Sequence, residues 1–130
     1  MFDIGDEVVS GLRAFAVEHD VGAAQLTGIG AFSDVVLGYF DWERKRYEPI
    51  PVDEQVEVLT LAGDVATRDG RPEVHAHVAV AKRDGTAHGG HLLEAHVRPT
   101  LEVILVESPA HLRKTLRPDS GLALIDLDRD

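Results

Sequence analysis

The sequence has no cysteine among its 130 residues. Disulfides and thiolate metal sites are therefore excluded, and His, Asp and Glu remain as the strong ligands for a metal ion. The absence also fits a reducing compartment. The first residues, Met1-Phe2-Asp3-Ile4-Gly5-Asp6, lack the basic start and apolar run of a signal peptide, so a cytoplasmic location is expected. No apolar run approaches the ~20 residues that a membrane helix needs. Basic residues are outnumbered, 13 against 23 acidic ones, for a net charge of −10 with His neutral. Nucleic-acid surfaces neutralise phosphates with basic patches, so this balance opposes DNA binding by the isolated chain. No repeat, linker or low-complexity segment divides the chain, and residues 1–130 read as a single domain.

Apolar residues make up 44% of the chain, enough for a real core. One helix is expected, from Glu7 to about His19, with Asp6 as N-cap and Val8, Val9, Leu12, Phe15 and Ala16 as its apolar stripe. The rest reads as about eight strands joined by short turns. The strand candidates begin with Ala23 to Gly30, Val35 to Phe40, the return from Arg46 to Ile50, and Val56 to Ala66. They continue with Val74 to Val80, His91 to Val97, Thr100 to Glu107 and Leu122 to Leu127. Pro49 and Pro51 suit an edge strand, Gly63 suggests a bulge or bend, and Pro99 breaks one strand from the next. Ala110 to Leu116 is ambiguous between helix and strand. Short connections require antiparallel neighbours. The expected class is α+β, a mostly antiparallel β-sheet flanked by one or two helices.

Two short motifs are set aside. Gly28-Ile29-Gly30-Ala31 faintly resembles a dinucleotide loop, but a strand follows where a phosphate cradle needs a helix. Gly70-Arg71-Pro72 resembles the core of an AT-hook, but Asp69 and Glu73 flank it and the segment fits a turn.

The stretch with chemical content is Val74-His75-Ala76-His77-Val78-Ala79-Val80. In a strand, residues two apart share a face, so His75 and His77 point one way and the valines and Ala76 the other. A turn at Asp84-Gly85 can return the chain and bring His91, after Gly89-Gly90, beside that pair. Such a set can hold zinc with one position open, and zinc is the expected metal, although nickel and copper also take imidazole. The ligands must be neutral, so acid should release the metal. His88, three residues before His91, is the alternative third ligand; His19, His96 and His111 read as surface residues. Glu57 and Glu102 lie within apolar strands, where a buried carboxylate needs a partner. Each could orient a ligand, accept a proton from metal-bound water, or pair with an arginine such as Arg98 or Arg113 across an interface.

An ordered set of motifs resembles the PPC domain, which stands alone in prokaryotes and is attached to AT-hooks in plant nuclear proteins. It comprises Leu26-Thr27-Gly28-Ile29-Gly30-Ala31, Leu37-Gly38-Tyr39, Glu57-Val58-Leu59 with Gly63, His75-Ala76-His77, Gly89-Gly90-His91-Leu92 and Thr100-Leu101-Glu102-Val103. The resemblance runs from about Gly5 to Leu127. It implies an antiparallel sheet with flanking helices, a homotrimer, and a three-histidine metal site on His75, His77 and His91. It also implies a fold similar to that of α-acetolactate decarboxylase, a fold-level analogy that assigns no reaction. Members usually carry a longer first strand; here Met1 to Ile4 precede the helix start, so one sheet edge should be short or differently covered. With no AT-hook, the DNA-binding label of the plant proteins should not transfer.

Three functional expectations follow. The first is a metal-binding homotrimer that acts as a binding or regulatory centre for a small molecule. The second is a zinc-dependent lyase or hydrolase, with Glu57 and Glu102 as the catalytic carboxylates. The third and weakest is a DNA-associated module.

Overall fold

The computed structural model describes residues 1–108 and 112–127. One helix, α1 (Val8–Glu18), precedes seven strands: β1 (Ala23–Asp41), β2 (Arg46–Val52), β3 (Val56–Arg68), β4 (Arg71–Ala81), β5 (Ala87–Glu107), β6 (Lys114–Arg117) and β7 (Leu122–Ile125). The sheet order is β2-β1-β3-β4-β5, and a further β1–β5 pairing closes the sheet on itself. All of these pairings are antiparallel. The α+β, mostly antiparallel expectation is met. Strands β6 and β7 form a separate hairpin. Among the described residues no helix is long and apolar enough to cross a membrane.

Two expected breaks are bulges, which reduces the eight expected strands to six, and β6 from the ambiguous segment makes seven among the described residues. Ala23 to Gly30 and Val35 to Phe40 are one strand, whose register slips at Gly30/Phe32 and Phe32/Asp34. Pro99 likewise does not end a strand. Between the pairs Phe32↔Val97 and Gly30↔Leu101, β5 uses two more residues than β1, and Pro99 sits in that excess, where its missing N–H costs no ladder bond. Pro49 and Pro51 do lie on an edge strand, β2. Of the ambiguous segment Ala110 to Leu116, the part from Lys114 is strand; Ala110 and His111 lie outside the described residues.

The N-terminus covers the edge of β5 that β4 leaves open. Phe2 bridges Leu101, Glu7 bridges His96, and Gly5 N–H donates to the Val97 carbonyl at 2.9 Å. The helix cap is one residue later than expected. Glu7, not Asp6, accepts from the backbone N–H groups of Val9 at 3.2 Å and Ser10 at 2.7 Å. Asp6 instead closes the preceding turn by accepting from Asp3 N–H. Val8, Leu12 and Ala16 are buried, whereas Phe15 is exposed and stacks on His19. The core is Leu26, Phe32, Leu37, Leu61, Val65 and Leu101 with their neighbours, packed inside the closed sheet.

Candidate metal centre

Strand β4 alternates as its sequence requires. Ala76, Val78 and Val80 are buried, while His75 is half-buried and His77 exposed on the outer face. The turn through Asp84-Gly85 returns the chain, and β4–β5 register places His77 directly opposite His91. His75 is two residues along β4. The three rings form a compact triangle, with centroids 5.1 Å apart for His75–His77, 5.1 Å for His75–His91 and 5.6 Å for His77–His91. One ligand nitrogen from each lies within 4.8 Å of the others. A tetrahedral zinc needs nitrogens about 3.4 Å apart, so the triangle must tighten to hold one. His88 does not join them. It pairs with Val80, and its odd spacing from His91 turns it to the other side of β5.

The donor set fits a metal ion on two further observations. His75 Nε2 and His91 Nδ1 are buried with no hydrogen-bond partner, a costly state for polar atoms unless something else engages them. Burial also lowers the imidazole pKa values, with the nearby Lys114 charge adding to the effect: downward for His75 and to about 4 for His91. Both are therefore neutral near pH 7, the state that binds a metal.

Glycine allows the close packing behind the triangle. A Cβ on Gly63 would lie 2.1 Å from the carbonyl oxygen of His75. Gly63 is thus a point of close strand approach opposite Ala76; the β3–β4 register shift lies at Val58/Thr60 instead. Gly90 serves β5 similarly, since a Cβ there would meet the Gly38 carbonyl at 2.7 Å. Neither glycine has a positive φ, so close approach explains them better than backbone freedom.

Three neighbours of the triangle were not expected from sequence. Tyr47 of β2 stacks on His91, with ring centroids 4.2 Å apart and planes 23° apart, and burial raises its hydroxyl pKa. Asp64 of β3 is the direct partner of His75. Lys114 of β6 reaches to 2.7 Å from Asp64 Oδ1. Tyr47, His75, His91 and Lys114 line a cleft of about 1360 Å³ whose other walls come from α1 and the β6–β7 hairpin.

Glu57 and Glu102 are not in this cleft. Both are exposed, which corrects the expectation of buried carboxylates. They share a separate shallow groove with Ile29, Leu59 and Thr100. Glu57 pairs with Ala81, four residues along β4 from His77, a distance of about 13 Å along the strand. Arg98 and Arg113, the suggested partners, do not line that groove.

Comparison with known proteins agrees with the fold. A crystal structure of a plant- and prokaryote-conserved protein from Pyrococcus horikoshii is 32% identical with a TM-score of 0.91, covering 98% of this chain and 89% of that one. One described as a metal-containing protein, from Archaeoglobus fulgidus, is 35% identical with a TM-score of 0.86, covering 95% and 88%. A candidate DNA-binding protein from Bacteroides thetaiotaomicron is 29% identical with a TM-score of 0.94, covering 98% and 90%. A curated relative, the bifunctional protein GlmU of a Synechococcus strain, is 30% identical over 125 residues; the match covers 95% of this chain but 19% of that protein. The profile of the Plants and Prokaryotes Conserved domain matches residues 1–109, and the chain belongs to that family.

Proposed function

We propose that this protein binds zinc through His75, His77 and His91 and works as a cytoplasmic homotrimer, the metal serving as a binding or regulatory centre for a small molecule. The observation that carries this reading is the triangle itself, three imidazoles with nitrogens within 4.8 Å, two of them buried without partners. Three protein nitrogens leave a tetrahedral ion one position for an exogenous ligand. The adjoining cleft gives that ligand room. Support for the trimer comes from the family and from exposed apolar side chains on one sheet face, Ile29, Leu59, Ile104 and Val106.

The test is metal analysis of protein purified without added metal, with about one zinc per chain expected. Replacing His75 and His77 together by Ala should abolish it, and unchanged zinc in that double variant would refute the site.

A zinc-dependent lyase or hydrolase is the second reading, favoured by the cleft beside the open position. In that reading Glu57 and Glu102 act as catalytic carboxylates only if assembly carries them to a neighbouring subunit's metal. A DNA-associated role is weakest, given the net charge of −10. It predicts salt-sensitive DNA binding, and a negative assay at physiological salt would dismiss it.

A further inference from the structure

Lys114 belongs to the β6–β7 hairpin, beyond the residues 1–109 that the family profile matches. It is 7% exposed, and no other charged residue among those described is buried. Withdrawing an ammonium from water costs several kcal/mol unless partners replace the water. Asp64 supplies one partner, at 2.7 Å. An ammonium has three donors, and no second acceptor for it is found among the described residues.

Lys114 is part of the cleft wall near His75 and His91, and Asp64 is not. Its side chain is 4% exposed against 25% for Asp64, so the ammonium is largely withdrawn from bulk water within that wall. A cation so placed opposes a metal ion on the same histidines, and its charge already acts on both His75 and His91. That conflict is relieved if an anion bridges the two positive centres. The cleft is also richer in positive charge than the chain. Four cations line it, Arg13, Arg68, Arg71 and Lys114, against the carboxylates of Asp20, Asp69 and Glu73, in a chain whose net charge is −10.

We propose that Lys114 is a recognition residue for the anionic group, carboxylate or phosphate, of a small molecule that occupies the cleft above His75 and His91. This rests on the metal-and-ligand reading of the same cleft. Asp64 is then the ion-pair partner that holds the ammonium in place.

Isothermal titration of the zinc-loaded chain, residues 1–130, tests it, with malonate, inorganic phosphate and the neutral malonamide as probes. The wild type should bind malonate or phosphate at least about tenfold more tightly than malonamide, and the better of the two anions identifies the ligand class. Lys114→Met should erase that preference while zinc stays at wild-type occupancy, and Lys114→Arg should keep part of it. A wild type that does not prefer either anion, or a Lys114→Met variant that retains the preference, overturns the proposal. Should Lys114→Met fail to fold because Asp64 is left without its partner, Asp64→Asn/Lys114→Met removes both charges and gives the same readout. Should the wild type take up no zinc, the metal reading fails by itself. The same titrations on the zinc-free protein then decide Lys114: anion binding lost in Lys114→Met supports its role, and no anion binding overturns it.

Discussion

His77 and His91 are direct cross-strand partners in the β4–β5 ladder, their ring planes 80° apart. Their separation is set by backbone hydrogen bonding rather than by flexible loops, so the two imidazoles are held in position before any metal arrives. His88 tests this account because it is as near to the pair in sequence but faces away. His91→Ala should lose most of the bound metal, and His88→Ala should retain wild-type occupancy. Elemental analysis, with circular dichroism as a control on folding, distinguishes the two; equal loss in both would mean that strand register does not select the ligand.

Gly63 gives a second prediction, on packing behind the site. In Gly63→Ala the new methyl would meet the His75 carbonyl and the Ala76 backbone, at 2.1 and 2.8 Å before relaxation. Both are ladder atoms rather than flexible side-chain ends, so β3 and β4 must separate. A destabilisation of about 1–3 kcal/mol is expected, together with weaker metal binding because His75 moves. Urea unfolding of the metal-free variant measures the first effect, and metal titration the second.

Much of this was legible because a strand repeats every two residues. His75-Ala76-His77 declared its face, and Asp84-Gly85 supplied the turn that brings His91 across. The same alternation misled at Glu57 and Glu102, where apolar neighbours suggested burial but both side chains point outward beside exposed Ile29 and Leu59. Asp64, Tyr47 and Lys114 could not be found this way. Their places depend on the register of β3 against β4, the return of β2 along β1, and the docking of β6 through Thr67 N–H on the Leu112 carbonyl. None of these leaves a local pattern. Pro99 was misread because proline breaks a regular ladder but is tolerated in a bulge, and the bulge is visible only from both strands.

A third prediction concerns pH, away from the metal centre. His96 Nδ1 lies 2.8 Å from Asp34 Oδ1, and this hydrogen bond raises the His96 pKa and lowers that of Asp34. A raised histidine pKa stabilises the fold fully below the unfolded value of about 6.5 and ceases to as pH rises through the folded value. A lowered carboxylate pKa stabilises above the unfolded value of about 3.9 and ceases to as pH falls through the folded value. The pair therefore contributes most between those limits. With both side chains 38% exposed, solvent screening keeps the contribution below about 1 kcal/mol. Asp34→Asn should lower the His96 pKa measured by NMR and flatten the stability profile on its alkaline side. An unchanged His96 pKa would show that the pair does not form in solution.

The last prediction concerns the sheet face that carries Ile29, Leu59, Ile104 and Val106, with exposures of 59%, 52%, 67% and 60%. Thr27↔Ile104 and Ile29↔Glu102 are cross-strand pairs, so Ile29, Ile104 and Val106 project from one continuous surface on β1 and β5. Covering that surface recovers roughly 25 cal/mol per Å² of apolar area, and in the proposed trimer a neighbouring copy covers it. Glu57 and Glu102, in the groove beside Ile29 and Leu59, would then lie at or near the subunit contact. Light scattering should give three times the 14.2 kDa chain mass for the wild type. Ile104→Glu places a charge where the contact should be while leaving the buried core untouched, and should yield a folded monomer. A monomeric wild type across a wide concentration range would refute the trimer. A trimeric Ile104→Glu would move the interface to another face, and with it the argument for bringing Glu57 and Glu102 to a neighbouring metal.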